Sequence, residues 1–178
     1  MNIKANFFKV CIVGDFGVGK STLLHHYLER RFISDVKSTI GSNFFVKHIK
    51  IPNVRNLITL QIWDLAGQDH FKWVRQAFYK GAKGMVFVFD LAREETFNHL
   101  SSWLEEVEGT IEYVPRILVG NKVDLVNPSE RVILQQDCID FAHQIKARSY
   151  EETSAKSGIG VDNIFYNLTL EMNKKYRR

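Results

Sequence analysis

Cysteine is scarce in this chain: Cys11 and Cys138 are the two among 178 residues. That is too few for a disulfide framework, so packing must hold the core together. Cys11 lies in an apolar run, which points to a buried, reduced thiol and an intracellular compartment. Three prolines and eleven glycines exclude collagen-like and low-complexity classes. Long apolar runs are missing. The longest near the centre, Met85 to Phe89, falls far short of the ~20 residues a membrane-spanning helix needs. Met1 to Asn6 carries no signal-peptide core, and Asn2 excludes N-myristoylation. A cytoplasmic chain is expected. Charge of one sign is also missing from the body: the net charge is +4, and Lys174, Lys175, Arg177 and Arg178 account for all of it. A nucleic-acid-binding face would need clustered basic residues, so no nucleic-acid partner is expected. The basic end, 174–178, is either a solvated helix terminus suited to the helix dipole or a tail directed at a membrane or partner.

What remains is ordinary globular composition, 45% hydrophobic and 25% charged, at a length that predicts one domain over 1–178. Apolar periodicity alternates between strand-like and helix-like. Strands are expected at Phe7–Val13, Phe44–Ile51, Leu57–Trp63, Met85–Phe89, Ile117–Val119 and Ala147–Glu151. Helices are expected at Lys20–Arg30, Glu94–Glu108, Glu130–Lys146 and Val161–Lys175. Pro52-Asn53 between the second and third strands predicts a hairpin, hence one antiparallel pair. The alternation predicts a three-layer α/β domain with a mostly parallel six-stranded sheet and helices on both faces. Ligands of such sheets bind beyond the carboxyl ends of the strands.

Five segments at those ends carry chemistry. Gly14-Asp15-Phe16-Gly17-Val18-Gly19-Lys20-Ser21 fits the phosphate-cradling pattern, with an apolar strand before it and a helical pattern after it. Its glycines let backbone N–H groups approach phosphate oxygens, Lys20 reaches the outer phosphates, and the Ser21 hydroxyl suits Mg²⁺; Thr22 follows on the helix. In Trp63-Asp64-Leu65-Ala66-Gly67-Gln68, Asp64 is the metal carboxylate, Gly67 offers its N–H to a terminal phosphate, and Gln68 orients an attacking water. In Asn121-Lys122-Val123-Asp124-Leu125, a buried Asp124 would accept two donors from guanine that adenine does not present, and the Lys122 stem would cover one face of the base. In Glu152-Thr153-Ser154-Ala155-Lys156, Ala155 N–H would bond the guanine carbonyl and Ser154 would brace Asp124. Ser38-Thr39-Ile40-Gly41 lies in Arg31–Asn43, a stretch without periodicity that reads as a mobile loop. There Thr39 would join the metal when a third phosphate is present, making loop order depend on the nucleotide. Phe32 is either an edge-on base contact or a core aromatic.

These five elements, in this order, resemble the guanine-nucleotide motifs of Ras-superfamily small GTPases over Phe8 to about Met172. Ile40-Gly41-Ser42-Asn43-Phe44, Leu60–Asp64, Ala66–Phe71 and Phe78–Gly84 look most like the Rab branch. The resemblance implies a P-loop NTPase domain that binds GTP or GDP with Mg²⁺, hydrolyses GTP slowly and works as a switch in membrane traffic. It implies metal ligands Ser21, Thr39 and Asp64, catalytic Gln68, and base selection by Asn121, Asp124, Ser154, Ala155 and Lys156. Loops 31–45 and 66–80 would order around the third phosphate. Phe44, Trp63 and Phe78 would form an effector-reading patch, unless they serve only core or hairpin packing. An exchange factor, an activating protein and a monomeric chain are expected.

Four departures bear on this. Phe16 replaces a small residue beside the third phosphate, where its ring either crowds Gln68 and an incoming arginine or tilts to solvent. Leu65 replaces threonine, Ser42-Asn43 alter the first switch, and no cysteine for prenylation precedes Arg178, so either the chain is trimmed or that anchor is lacking. A short basic tail alone gives weak, salt-sensitive attachment to a cytoplasmic membrane face. Phe16 and Leu65 leave room for a guanine-nucleotide-binding interaction module with little or no turnover. A P-loop ATPase or small-molecule kinase shares the first motif but leaves Asp124 and Ser154 unexplained.

Overall fold

A computed structural model describes residues 6–176 apart from positions 36, 53, 55 and 56. Asn53 of the hairpin, and Arg177 and Arg178 of the basic end, lie outside the described residues. The strands are β1 (Asn6–Val13), β2 (Ser42–Ile49), β3 (Ile58–Leu65), β4 (Gly84–Asp90), β5 (Arg116–Asn121) and β6 (Tyr150–Thr153). The helices are α1 (Lys20–Glu29), α2 (Lys72–Tyr79), α3 (Glu94–Asn98), α4 (Leu100–Glu108), α5 (Gln135–Gln144) and α6 (Val161–Tyr176).

The six strands form one sheet in the order β2-β3-β1-β4-β5-β6. Every neighbouring pair is parallel except β2 with β3, which is antiparallel and starts at Ile49 opposite Ile58. The expected sheet is therefore present, with its one hairpin strand at the edge. Every residue of β4 and β5 is buried, as a sheet covered on both faces requires. Alternate residues of β1 serve the two layers: Val10 and Ile12 pack with Leu23 and Leu24 of α1 and Phe165 and Leu168 of α6. Cys11 and Val13 pack on the other face with Tyr79 of α2, Leu100 and Trp103 of α4, and Cys138 of α5. Leu65 is fully buried in this second layer.

β1 is hydrogen-bonded to β3 on one side and β4 on the other, so the chain reverses its direction of travel across the sheet at β1. That switch point opens a crevice beyond the carboxyl end of β1, where the first motif sits.

Several expected boundaries move. The stretch 66–80, expected to be a nucleotide-ordered loop, contains α2, an eight-residue helix. Residues 42–45 of the other expected loop belong to β2. The expected helix over 94–108 divides at His99, where ψ relaxes to −10° although its N–H still reaches Glu95 O. α5 begins at Gln135, because Pro128 to Glu130 form a separate turn capped by Asn127. The last strand is Tyr150–Thr153, later than expected.

Candidate functional site

Gly14 leaves β1 at φ 144°, and a side chain there would meet the Val88 carbonyl at 2.0 Å. Only glycine lets the chain turn off the sheet so close to β4. The loop then runs to Gly19, at φ 97°, which starts α1. A cavity of about 470 Å³ opens beside that loop and the N-terminus of α1. Backbone N–H groups there, with the helix dipole, suit an anion.

The cavity is lined by Phe16, Gly17, Gly19, Lys20, Ser21, Thr22, Phe32, Thr39, Gly67, Gln68, Asn121, Lys122, Asp124, Leu125, Ala155 and Lys156. All five sequence segments thus contribute to one space. Ser38 of the fifth segment also lines it, as do Ser34 and Lys37, which no motif contained. Of the expected site residues, Gly14, Asp15, Val18, Asp64 and Ser154 do not line it. Gly14 and Val18 shape the loop from behind. The Asp15 side chain faces away, with Oδ1 accepting from Trp103 Nε1 at 2.7 Å and Oδ2 2.6 Å from His99 Nδ1.

Lys20 is buried, and its ammonium donates to Gly14 O at 2.7 Å and Asp15 O at 2.9 Å. Burial depresses its pKa to about 8, although Asp64 and Asp15 pull the other way. Ser21 Oγ donates to Asp64 Oδ2 and lies 2.9 Å from Thr39 Oγ1. Thr39 Oγ1 also reaches Asp64 Oδ2 at 3.4 Å. Asp64 is fully buried; desolvation pushes its carboxyl above the usual range, against the bond from Ser21 and the charge of Lys20. Its Oδ1 is one of four buried side-chain atoms among the described residues without a partner. Three hard oxygen donors converge there, one with a free buried lone pair, and this set fits Mg²⁺.

Gln68 Oε1 is likewise buried and unpartnered. Its backbone is fixed: Arg75 Nη1 donates to Gln68 O at 2.7 Å and Ala66 O at 3.0 Å. A side chain on Gly67 would meet Phe16 N at 2.4 Å, so Gly67 brings this segment against the phosphate loop. Phe16 is 52% exposed while still lining the cavity.

At the far end Asn121 is a clasp. Its Nδ2 donates to Val18 O at 2.9 Å, and its Oδ1 accepts from Thr153 Oγ1 at 3.0 Å and Ala155 N at 3.3 Å. Asp124 is exposed at the rim rather than buried as the sequence reading expected; its Oδ1 accepts from buried Ser154 Oγ at 2.6 Å. The core position belongs to Asn121, and Asp124 projects beyond it from the following turn. Phe32, 45% exposed on the cavity wall, is not a core aromatic. Outside the cavity, Trp63 sits between Phe44 and Phe78, with ring centroids 4.7 and 5.0 Å apart.

A model of the Ras family matches residues 9–174. The chain belongs to the Ras family. Among its relatives, Ras-related protein Rab-13 of Rattus norvegicus is 36% identical over 168 residues, 94% of this chain and 80% of that protein. Ras-related protein Rab7 of Pisum sativum is 35% identical over 96% of this chain and 84% of its own length. Ras-related protein Rab-12 of Homo sapiens is 37% identical, covering 94% of this chain and 67% of its own length. The chain is therefore a Rab-like small GTPase, and this family in general works as a switch in trafficking, binds GTP or GDP with Mg²⁺ and recruits effectors, exchange factors and activating proteins. Among the described residues no helix is long and apolar enough to cross a membrane.

Sequence reasoning missed two supports of the site. Buried Asp90 ends β4 after the apolar run Met85–Phe89, and a carboxylate closing such a run was the available signal. Arg75, buried with Glu106 and Tyr79, gave no signal, because its counter-ion Glu106 lies 31 residues away.

Proposed function

We propose that this Rab-like chain itself turns over GTP, slowly and with Mg²⁺. The observation that carries the reading is the meeting of Ser21, Thr39 and Asp64 oxygens beside Lys20 and Gln68. Lys20 and the backbone of Gly17 to Ser21 hold the phosphates. Ser21, Thr39 and Asp64 hold the metal, which when bound neutralises charge on the outer phosphates. Gly67 N–H faces the terminal phosphate. Gln68 Oε1 accepts a hydrogen bond from the attacking water and aims it in line. Asp124, braced by Ser154, accepts the two donors of guanine, while Ala155 N–H, Lys156 and Leu125 complete the base site. The Lys122 stem and Phe32 flank the base, and Asn121 holds the two halves of the site together. Thr39 ties loop 31–41 to the third phosphate, so the first switch relaxes when that phosphate leaves. The Phe44–Trp63–Phe78 surface is the effector-reading patch. Lys174 and Lys175 belong to the basic end that meets a cytoplasmic membrane face.

The second reading is a guanine-nucleotide-binding module with little turnover, which the Phe16 ring on the wall that Gln68 also lines favours. Single-turnover phosphate release from GTP-loaded protein separates the two. Release at about 10⁻⁴ to 10⁻³ s⁻¹, abolished by chelating Mg²⁺, supports catalysis. No Mg²⁺-dependent release over hours supports the module.

A further inference from the structure

The phosphate loop is held from its outer side by a single buried carboxylate. Asp90 is 2% exposed at the end of β4. Its Oδ2 forms an ion pair with Lys122 Nζ at 2.7 Å and accepts from Arg93 Nε at 3.2 Å. Each cation spends a further donor on the loop. Lys122 Nζ donates to Gly17 O at 2.7 Å, and Arg93 Nη2 donates to Phe16 O at 2.9 Å. Two successive carbonyls are thereby fixed by cations that share one counter-ion. In a trans peptide unit the N–H points opposite to its C=O. Fixing Phe16 O and Gly17 O therefore fixes the direction of the Gly17 and Val18 N–H groups; Gly17 lines the cavity, and Val18 N–H closes the loop on Asp15 O at 3.5 Å. A flexible loop with φ 77° at Gly17 would otherwise leave these peptide planes free to turn.

We infer that Asp90 is a positioning residue for the phosphate loop, acting through Arg93 and Lys122 to set how long the protein retains a nucleoside diphosphate. The inference rests on the nucleotide site proposed above. Asp90 does not itself line the cavity; its effect is transmitted through its two cations, of which Lys122 does. Without its charge, Lys122 and Arg93 repel each other beside the loop, and both carbonyls lose a fixed donor. Asp90 Oδ1 has a separate task, accepting from Ala92 N at 2.9 Å in the turn that leaves β4.

The test uses Asp90→Asn, which keeps the Oδ1 acceptor for Ala92 and replaces the charged Oδ2 that faces Lys122 and Arg93 with an uncharged amide nitrogen. GDP dissociation is timed with a fluorescent GDP analogue, and the ³¹P resonance of the β-phosphate of bound GDP is recorded. Dissociation at least tenfold faster than in the parent protein, with a displaced β-phosphate resonance, is the expected result. Arg93→Gln leaves the Asp90–Lys122 pair in place and gives an intermediate acceleration, which keeps the inference testable if Asp90→Asn folds poorly. Parent-like dissociation and an unmoved resonance in both variants would overturn the positioning role. A parent protein that binds no guanine nucleotide would instead overturn the site itself, so the two failures are distinguishable.

Discussion

Arg75 of α2 meets Glu106 of α4 through two hydrogen bonds, Nε to Oε1 at 2.9 Å and Nη2 to Oε2 at 2.8 Å, with both side chains at most 5% exposed. Tyr79 Oη adds a third bond to Glu106 at 2.6 Å, and the Trp103 ring lies 4.3 Å from the guanidinium carbon. The remaining nitrogen of Arg75 holds the carbonyls of Ala66 and Gln68. One buried cation thus joins the helix layer to the segment that carries Gln68. Arg75→Met strands the Glu106 charge in the core, and breaking such a pair costs about 3–5 kcal/mol. The denaturation midpoint of the nucleotide-bound protein should fall accordingly. Single-turnover hydrolysis should slow as well, because Gln68 loses its backbone anchor; a variant with parent stability and rate would contradict this role.

Gln68→Leu removes the acceptor that orients the water but no group that holds a phosphate. Hydrolysis should fall at least tenfold while GDP affinity stays within about twofold, as positioning residues of this kind act on the chemical step. Phosphate release and equilibrium binding on the same preparation check both halves.

Phe16 stands half in solvent on the wall of the cavity. Phe16→Ser should speed single-turnover hydrolysis, since the ring no longer competes with Gln68 for the space beside the third phosphate. A rate that does not rise, with or without an activating protein, removes Phe16 from the account of slow turnover.

Asp124→Ala deletes the carboxylate that accepts from guanine at an exposed position, so little fold stability is at stake. Hydrogen bonds to a charged group are worth about 1.5–3 kcal/mol each, so GDP affinity should drop at least a hundredfold. Thermal denaturation without nucleotide should barely move. A loss of stability equal to the loss of affinity would mean that Asp124 serves the turn rather than the base.

Cys11 and Cys138 are both buried and free. Desolvation pushes the Cys11 thiol up to about 12 and raises Cys138 as well. The thiolate is the reactive form, so native protein at pH 8 should show no rapidly titrating thiol and denatured protein two. The sign on stability follows: above pH 9 the unfolded chain sheds thiol protons that the folded chain keeps, so stability falls as pH rises from 9 toward 12. Fast labelling of native protein would contradict the burial of Cys11.

The parts of this molecule legible in the sequence are those written locally. The glycines and Lys20 of the phosphate loop, the apolar runs Met85–Phe89 and Ile117–Val119 of β4 and β5, and the carboxylates Asp64 and Asp124 at or beyond strand ends each follow from neighbours a few residues away. What was not legible depends on distant partners. α2 hides because its buried face includes Arg75, whose charge breaks the apolar stripe until Glu106 supplies the match. Asp15 reads as part of the phosphate loop, yet its carboxylate belongs to His99 and Trp103 on the α3–α4 side. Asp124 reads as the buried member of its motif, but Asn121 takes that place because its amide can satisfy Val18, Thr153 and Ala155 together. The Asp90 brace joins residues 16, 17, 93 and 122, a juxtaposition that only the sheet order creates.

The measurement that tests the central claim most directly is the identity of the nucleotide carried by freshly purified protein, released by denaturation and resolved by ion-pair chromatography. The account predicts stoichiometric guanine nucleotide, predominantly GDP, because Asp124 and Ser154 select the base and Gln68 supports at least one turnover during purification. An adenine nucleotide, or none, would contradict the assignment of the cavity.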